Sequence, residues 1–159
     1  MITLSLIYAL LSPLSEDQTV HHIAQVTCSE CQGCSRSEQL AIIQVIKNRV
    51  RYTSTRPDHW WGYGLLSILR YPQFAKHSKR CMLIANDKNL TPYERKVQKR
   101  IRRIYKDVRD TLKTDSFPSM RNCYYFHAKR IDPKWNLSPC PGRSYWHHYF
   151  YTKRKIKEN

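Results

Sequence analysis

The stretch Glu30-Cys31-Gln32-Gly33-Cys34-Ser35-Arg36-Ser37-Glu38-Gln39-Leu40-Ala41-Ile42-Ile43-Gln44-Val45-Ile46-Lys47-Asn48-Arg49-Val50 decides how this chain is read. A carboxylate ends one helical pattern, a short polar gap holds two cysteines, and a long apolar run closes on Asn-Arg-Val. Ser35-Arg36-Ser37-Glu38 has the spacing of a capping box, so a helix opens there. It is expected to reach about Tyr52, with Leu40, Ile43, Ile46 and Val50 buried. A glutamate at a helix end, held against apolar neighbours, suits a general acid, because burial disfavours the charged form and raises the pKa. The plain alternative for Glu30 is an exposed helix-end residue. Glu38, the rival carboxylate, has a structural task in the capping box.

Working outward, Ser15-Glu16-Asp17-Gln18 is a second capping box with two acids in the first turn. Its helix should carry Val20, Ile23, Ala24 and Val26 inward and end near Glu30. The region from Arg56 to Gly64, with Pro57, Trp60, Trp61, Gly62 and Gly64, reads as a loop. Leu65 to Arg70 reads as a short helix stopped by Tyr71-Pro72. Thr91-Pro92-Tyr93-Glu94 is a third capping box with Pro at the first helical position, and its helix reaches about Lys113. Val97, Ile101, Ile104, Tyr105, Val108 and Leu112 form the apolar face of that helix. Lys96, Lys99, Arg100, Arg102, Arg103, Lys106 and Arg109 lie on the other.

From Cys123 the texture changes. Cys123 to His127 and Tyr145 to Tyr151 are β-prone, and a Pro-rich loop joins them. The elements together predict one α+β, mainly helical domain over 15–152 with a small C-terminal antiparallel β-ribbon. Residues 1–14 form an apolar segment about as long as the core of a signal peptide and too short to span a bilayer. An export signal, a weak anchor and a first core helix all fit it. Residues 153–159 read as a frayed basic tail.

The net charge of +16 asks for a polyanionic partner, and nucleic acid and anionic bacterial cell wall both qualify. With 12% aromatic residues and only 4 Gly, the chain is a compact globular protein rather than a disordered one. The six cysteines fit disulfides in an oxidising compartment or a cytosolic metal site. Cys28, Cys31 and Cys34 have metal-site spacing, and Cys81, Cys123, Cys140 or His127 could add a fourth ligand. There is no second CxxC and the triplet straddles a helix end, so disulfides or buried thiols are the expectation, with no metal and no cofactor. Spacing alone leaves the pairing open.

Several motifs then occur in one order. Glu30, Gly33, Gln39, Ala41, Asn48, Arg49 and Val50 fall in the first; Pro72-Gln73-Phe74 follows; Tyr125-Phe126-His127-Ala128 precedes Asp132-Pro133-Lys134-Trp135; His148-Tyr149-Phe150-Tyr151 closes the series. This arrangement resembles the cell-wall hydrolase family of the spore cortex-lytic enzyme SleB, which includes phage lysins. The resemblance covers roughly Ile23 to Tyr151. Cys34 stands where that family has a second Glu, and Glu38 where it has a Gly.

The resemblance implies a lysozyme-like domain that cleaves the glycan strands of peptidoglycan as a lytic transglycosylase, with Glu30 as its catalytic residue. It implies substrate-binding roles for Gln39, Gln73, Phe74, Tyr125, His127, Trp135 and His148. The implied setting is a monomer acting in the cell wall, periplasm or extracellular space, or phage-encoded and released at lysis, with no stable membrane span and no specific nucleic acid. Trp60, Trp61, Tyr63, Phe74, Tyr125 and Trp135 suit a saccharide groove, against which core packing is the plain reading, above all for Phe74 and Phe126. For His127 and His148 the plain reading is a satisfied core histidine. Two readings compete with catalysis: a basic nucleic-acid-binding protein with a Cys-based zinc site, and a wall-binding relative without activity.

Overall fold

The computed structural model describes residues 14–70, 74, 81, 87–114, 118–131, 137–140 and 147–155. The apolar segment before Leu14, the Tyr71-Pro72 stop, Gln73, Trp135, Tyr145, Trp146 and residues 156–159 lie outside them. Among the described residues the helices α1 (Glu16–Cys31), α2 (Arg36–Thr53), α3 (Leu65–Arg70) and α4 (Pro92–Lys113) come first. A short 3-10 turn, Pro118–Met120, leads into strands β1 (Cys123–Ala128), β2 (Leu137–Pro139) and β3 (His148–Lys155). The fold is α+β and mainly helical, as its sequence implies.

The helix starts follow their caps. At α1 the Ser15 hydroxyl accepts from the Gln18 N–H at 3.2 Å, and the Gln18 side chain accepts from the Ser15 N–H at 2.8 Å. Thr91 and Glu94 make the same reciprocal pair at α4. Each such cap contributes about 1 kcal/mol. At α2 only half of the box forms. Ser35 Oγ accepts from the Glu38 N–H at 3.3 Å, but the Glu38 carboxylate turns inward to β3 and does not close the reciprocal bond. The structural task read from the capping box is therefore corrected: histidines from the far end of the chain offer the carboxylate stronger donors than its own cap backbone.

Helix α2 is the centre of the molecule. Every residue from Ala41 to Val50 is buried, as expected of a helix enclosed on all sides. It contacts α1, α3, α4, the 3-10 turn and β1. Three consecutive polar residues are buried with it, and each donates to backbone carbonyls elsewhere. Lys47 Nζ donates to Thr111 O (2.8 Å) and Thr114 O (2.7 Å), where a cation also meets the negative end of α4. Asn48 Nδ2 donates to Met120 O (2.7 Å) and Cys123 O (2.8 Å), while its Oδ1 accepts from Gln44 Nε2 at 2.9 Å. Arg49 Nε donates to Tyr124 O at 2.6 Å.

The period of α4 is carried into the fold. Val97, Ile101, Ile104, Val108 and Leu112 are buried, and the seven cations of its opposite face are exposed. Asp107 is buried on this helix and takes both arms of a fork from Arg36, with Nη2 to Oδ1 at 2.6 Å and Nε to Oδ2 at 3.0 Å.

The sheet differs from the expected ribbon. Its order is β1-β3-β2 with both pairings antiparallel. The third strand comes from the Pro-rich loop. Pro139 fits there because β2 is an edge, where a missing N–H costs no ladder bond. The basic tail read from residue 153 is also corrected, since β3 continues to Lys155, whose partner is Leu137. Three disulfides join Cys28 to Cys81, Cys31 to Cys34, and Cys123 to Cys140. The first bridges a sequence separation of 53 and the third one of 17, while the second spans 3. Loop-closure entropy ranks them at roughly 4, 3 and under 2 kcal/mol respectively.

Two outcomes follow. Asn48→Leu keeps the volume but strips the carbonyls of Met120 and Cys123 of their donor, so denaturant unfolding with the disulfides intact should show a loss of about 2–4 kcal/mol. Gly62 and Gly64 both have φ near +79°. A Cβ on Gly62 would meet Ser67 Cβ at 2.7 Å, whereas one on Gly64 meets nothing. Gly64→Ala should cost about 1–2 kcal/mol through its backbone alone, and Gly62→Ala distinctly more in the same assay.

Candidate functional site

The chain turns from α1 to α2 within residues 32–35, and the turn is held from both sides. Cys31 and Cys34 are bonded across it, and the Cys34 N–H donates to Cys31 O at 3.2 Å. From the first turns of α2, the buried Gln39 amide donates to Cys31 O at 2.9 Å and weakly to Gln32 O at 3.4 Å. Arg103 of α4 donates to Gln39 Oε1 at 3.5 Å. Glu30 lies half-buried in the last turn of α1, immediately before this junction. A carboxylate at that end of a helix faces the partial negative charge of the terminal carbonyls, and no Lys or Arg stands in the last turn.

Next to the junction lies a cluster of polar groups. Glu38 is 1% exposed. Its Oε1 accepts from the His148 backbone N–H at 2.9 Å and lies 2.8 Å from His148 Nδ1; its Oε2 lies 3.2 Å from His147 Nδ1. A carboxylate can only accept, so both ring nitrogens donate to it. His148 is buried, and its Nδ1 lies 3.8 Å from Cys31 Sγ. The Sγ atoms of Cys31 and Cys34, a Glu38 oxygen and a His148 ring nitrogen all lie within 4.8 Å of one another. Sulfur, nitrogen and oxygen atoms thus converge in one small volume, and the two sulfurs, paired in a disulfide, would have to be reduced to thiolates before the set could hold a divalent transition metal.

The residues singled out in the sequence are not gathered into one cleft. His148 joins Glu38 and the Cys31–Cys34 pair. Gln39 spends its amide on the turn. Phe74 is buried against Phe126, ring centroids 5.8 Å apart, and beneath the Arg49 guanidinium at 5.1 Å. It therefore belongs to the core. His127 donates from Nδ1 to Ala128 O at 2.8 Å, and its Nε2 lies 2.9 Å from the Tyr151 hydroxyl. Tyr125 is half-buried edge-on to Trp61 at 5.4 Å, and burial pushes its phenol up. Gln73 and Trp135 fall outside the described residues. Of the aromatic loop, Trp61 is buried, while Trp60 (54%) and Tyr63 (48%) are exposed.

Sequence reasoning missed the Glu38–His147–His148 contact. The partners are about 110 positions apart, and the capping-box spacing already gave Glu38 a local explanation. It also missed the cationic clamp on the aromatic loop. Arg49 stacks over Trp61 at 5.0 Å, Arg56 over Tyr52 at 4.2 Å, and Lys153 Nζ stands 3.2 Å from the Tyr52 ring centre. The hydrogen bond from Lys153 holds the Tyr52 phenol below its ordinary value.

His59, edge-on to Trp61 at 4.4 Å, sits inside this clamp. Burial first, then the charges of Lys153, Arg56 and Arg49, hold its imidazole below the ordinary value of 6.5. The unfolded chain therefore takes up a proton that the folded chain refuses. Stability is whole above about pH 6.5 and falls as the pH drops below it, towards the lowered folded value. His59→Gln should flatten the pH dependence of the unfolding midpoint below about pH 6.5.

In comparison with known proteins, the chain matches no family model, no curated protein and no solved structure.

Proposed function

We propose that this protein cleaves the glycan strands of peptidoglycan as a lytic transglycosylase with a lysozyme-like fold, using Glu30 as its single general acid and base. The observation that carries the reading is the setting of Glu30: half-buried in the last turn of α1, at a junction held by a disulfide and by Gln39. Glu38 is unsuited to the same task, because its carboxylate is buried and both oxygens are engaged by histidines.

The chemistry needs only one carboxyl group. Protonated Glu30 donates to the glycosidic oxygen as the bond to the muramic acid breaks. As carboxylate it then takes the proton of the sugar's C6 hydroxyl, which closes a 1,6-anhydro ring. No second carboxylate acts as nucleophile, unlike the paired-carboxylate glycosidases. Trp60 and Tyr63 offer exposed aromatic faces for sugar rings. The cationic face of α4 would hold the enzyme on an anionic wall, more weakly as salt rises. Disulfides among all six cysteines suit a wall, periplasmic or extracellular setting. Among the described residues, no helix is long and apolar enough to cross a membrane.

The same exposed cations favour a second reading, a nucleic-acid binder, and a wall-binding role without catalysis shares their electrostatics. Mass spectrometry of the products released from purified peptidoglycan separates the three. Wild type should release anhydromuropeptides, and Glu30→Gln should keep the circular dichroism spectrum while losing about 10²–10⁴-fold in rate. Full activity in Glu30→Gln would refute the assignment. Reducing muramic-acid ends would make the enzyme a hydrolytic muramidase. No release from several wall types, with salt-sensitive binding to DNA or RNA, would favour the nucleic-acid reading.

A further inference from the structure

We infer that the Cys31–Cys34 pair is redox-gated, and that its reduced form, with Glu38 and His148, binds one zinc ion. The inference is independent of the wall reading and holds whatever the protein acts on.

Four donor atoms lie within 4.8 Å of one another. Ligands of a tetrahedral zinc site stand about 2.0–2.3 Å from the metal, which puts neighbouring donors roughly 3.3–3.8 Å apart. The 3.8 Å between His148 Nδ1 and Cys31 Sγ already lies at the upper end of that range, the 2.8 Å between His148 Nδ1 and Glu38 Oε1 must widen slightly, and the two sulfurs move apart once their bond is reduced. Two thiolates, an imidazole and a carboxylate make a full tetrahedral set, and three of the four residues are buried. All four positions are filled by protein, so the site is structural rather than an open catalytic one.

Its surroundings are also those of a built site. Gln39 fixes the Cys31 carbonyl at 2.9 Å, and His147 holds the second oxygen of Glu38 at 3.2 Å. Outer hydrogen bonds of this kind orient metal ligands. Glu38 is a carboxylate buried without a described Lys or Arg on it, and two histidines donate to it instead. A divalent ion would replace the His148 contact with a much stronger charge. Cys31–Cys34 also closes the shortest of the three disulfide loops, with a separation of 3, so it restrains the unfolded chain least and its loss burdens the fold least.

The conversion balances. A low-molecular-weight thiol reductant cleaves the Cys31–Cys34 bond by exchange, supplies two electrons and two protons, and leaves as its own disulfide. Zinc then displaces the two thiol protons into solvent as it binds the thiolates. The His148 proton moves from Nδ1 to Nε2 by way of solvent, which frees Nδ1 to ligate. Reoxidation by a low-molecular-weight disulfide, which takes up the two electrons with two solvent protons and leaves as two thiols, re-forms the Cys31–Cys34 bond and releases the zinc, because a disulfide sulfur is no longer a thiolate.

The test uses the full chain in two redox states, with a phosphine reductant that competes little for zinc. After equilibration with zinc and desalting, metal content is measured by mass spectrometry, and the ligand shell by X-ray absorption. The reduced wild type should retain about one zinc per chain, with two sulfur and two nitrogen or oxygen neighbours. The oxidised wild type and the Cys31→Ser/Cys34→Ser variant should retain none under the same conditions. His148→Gln, checked for native circular dichroism, should bind at least about tenfold more weakly. A reduced wild type that holds no more zinc than the double variant overturns the proposal. So does a shell of four sulfurs, which would assign the metal to the other cysteines, or equal retention by the oxidised chain.

Discussion

The fold depends on a demand that buried donors impose. Lys47, Asn48 and Arg49 are consecutive, so they project from α2 in three directions about 100° apart. All three lie inside the protein, where an unpaired donor costs far more than a formed hydrogen bond returns. Each therefore finds backbone carbonyls: the end of α4 for Lys47, both ends of the turn into β1 for Asn48, and β1 itself for Arg49. The central helix thus fixes both where the last helix stops and where the sheet begins. Once β1 is fixed, its register sets β3, and β3 delivers His148 to Glu38.

Positive charge has two roles that the bulk total conceals. Lys47 and Arg49 are buried and spend their charge on carbonyl oxygens and aromatic faces. The cations of α4 are exposed and form one stripe, answered locally by a few acids such as Asp110 and Asp17. Only the second group acts on a partner at a distance. Arg36 is intermediate, with an exposed stem whose head closes on a buried carboxylate and joins the start of α2 to α4.

Local signals in the chain were legible and distant ones were not. The Ser15 and Thr91 caps, the apolar period of α4 and the β-prone run at Cys123 each depend on neighbours within a few residues, and each appears in the fold as read. Glu38 shows the limit: its spacing from Ser35 is a local signal, but its carboxylate answers to His147 and His148, which no pattern along the chain connects to it. The third strand was hidden for a related reason. Leu137 to Pro139 has little intrinsic β character and is a strand only because β3 offers it a ladder. Lys153 looked like part of a solvated tail, yet it packs over Tyr52 from within β3. The cysteine pairing follows from three-dimensional proximity, so composition indicated bonding without partners.

The strand order has a consequence for how the molecule is made. β3 is the last described element along the chain, yet it is the middle of the sheet. β1 and β2 pair with β3 and not with each other, so both leave the ribosome before their ladder partner. At about 5–20 residues per second, β1 waits on the order of seconds for the strand that completes it. During that interval the helices can already pack, because α1, α2 and α4 meet one another directly. Translation thus delivers the helices before the strand that completes the sheet.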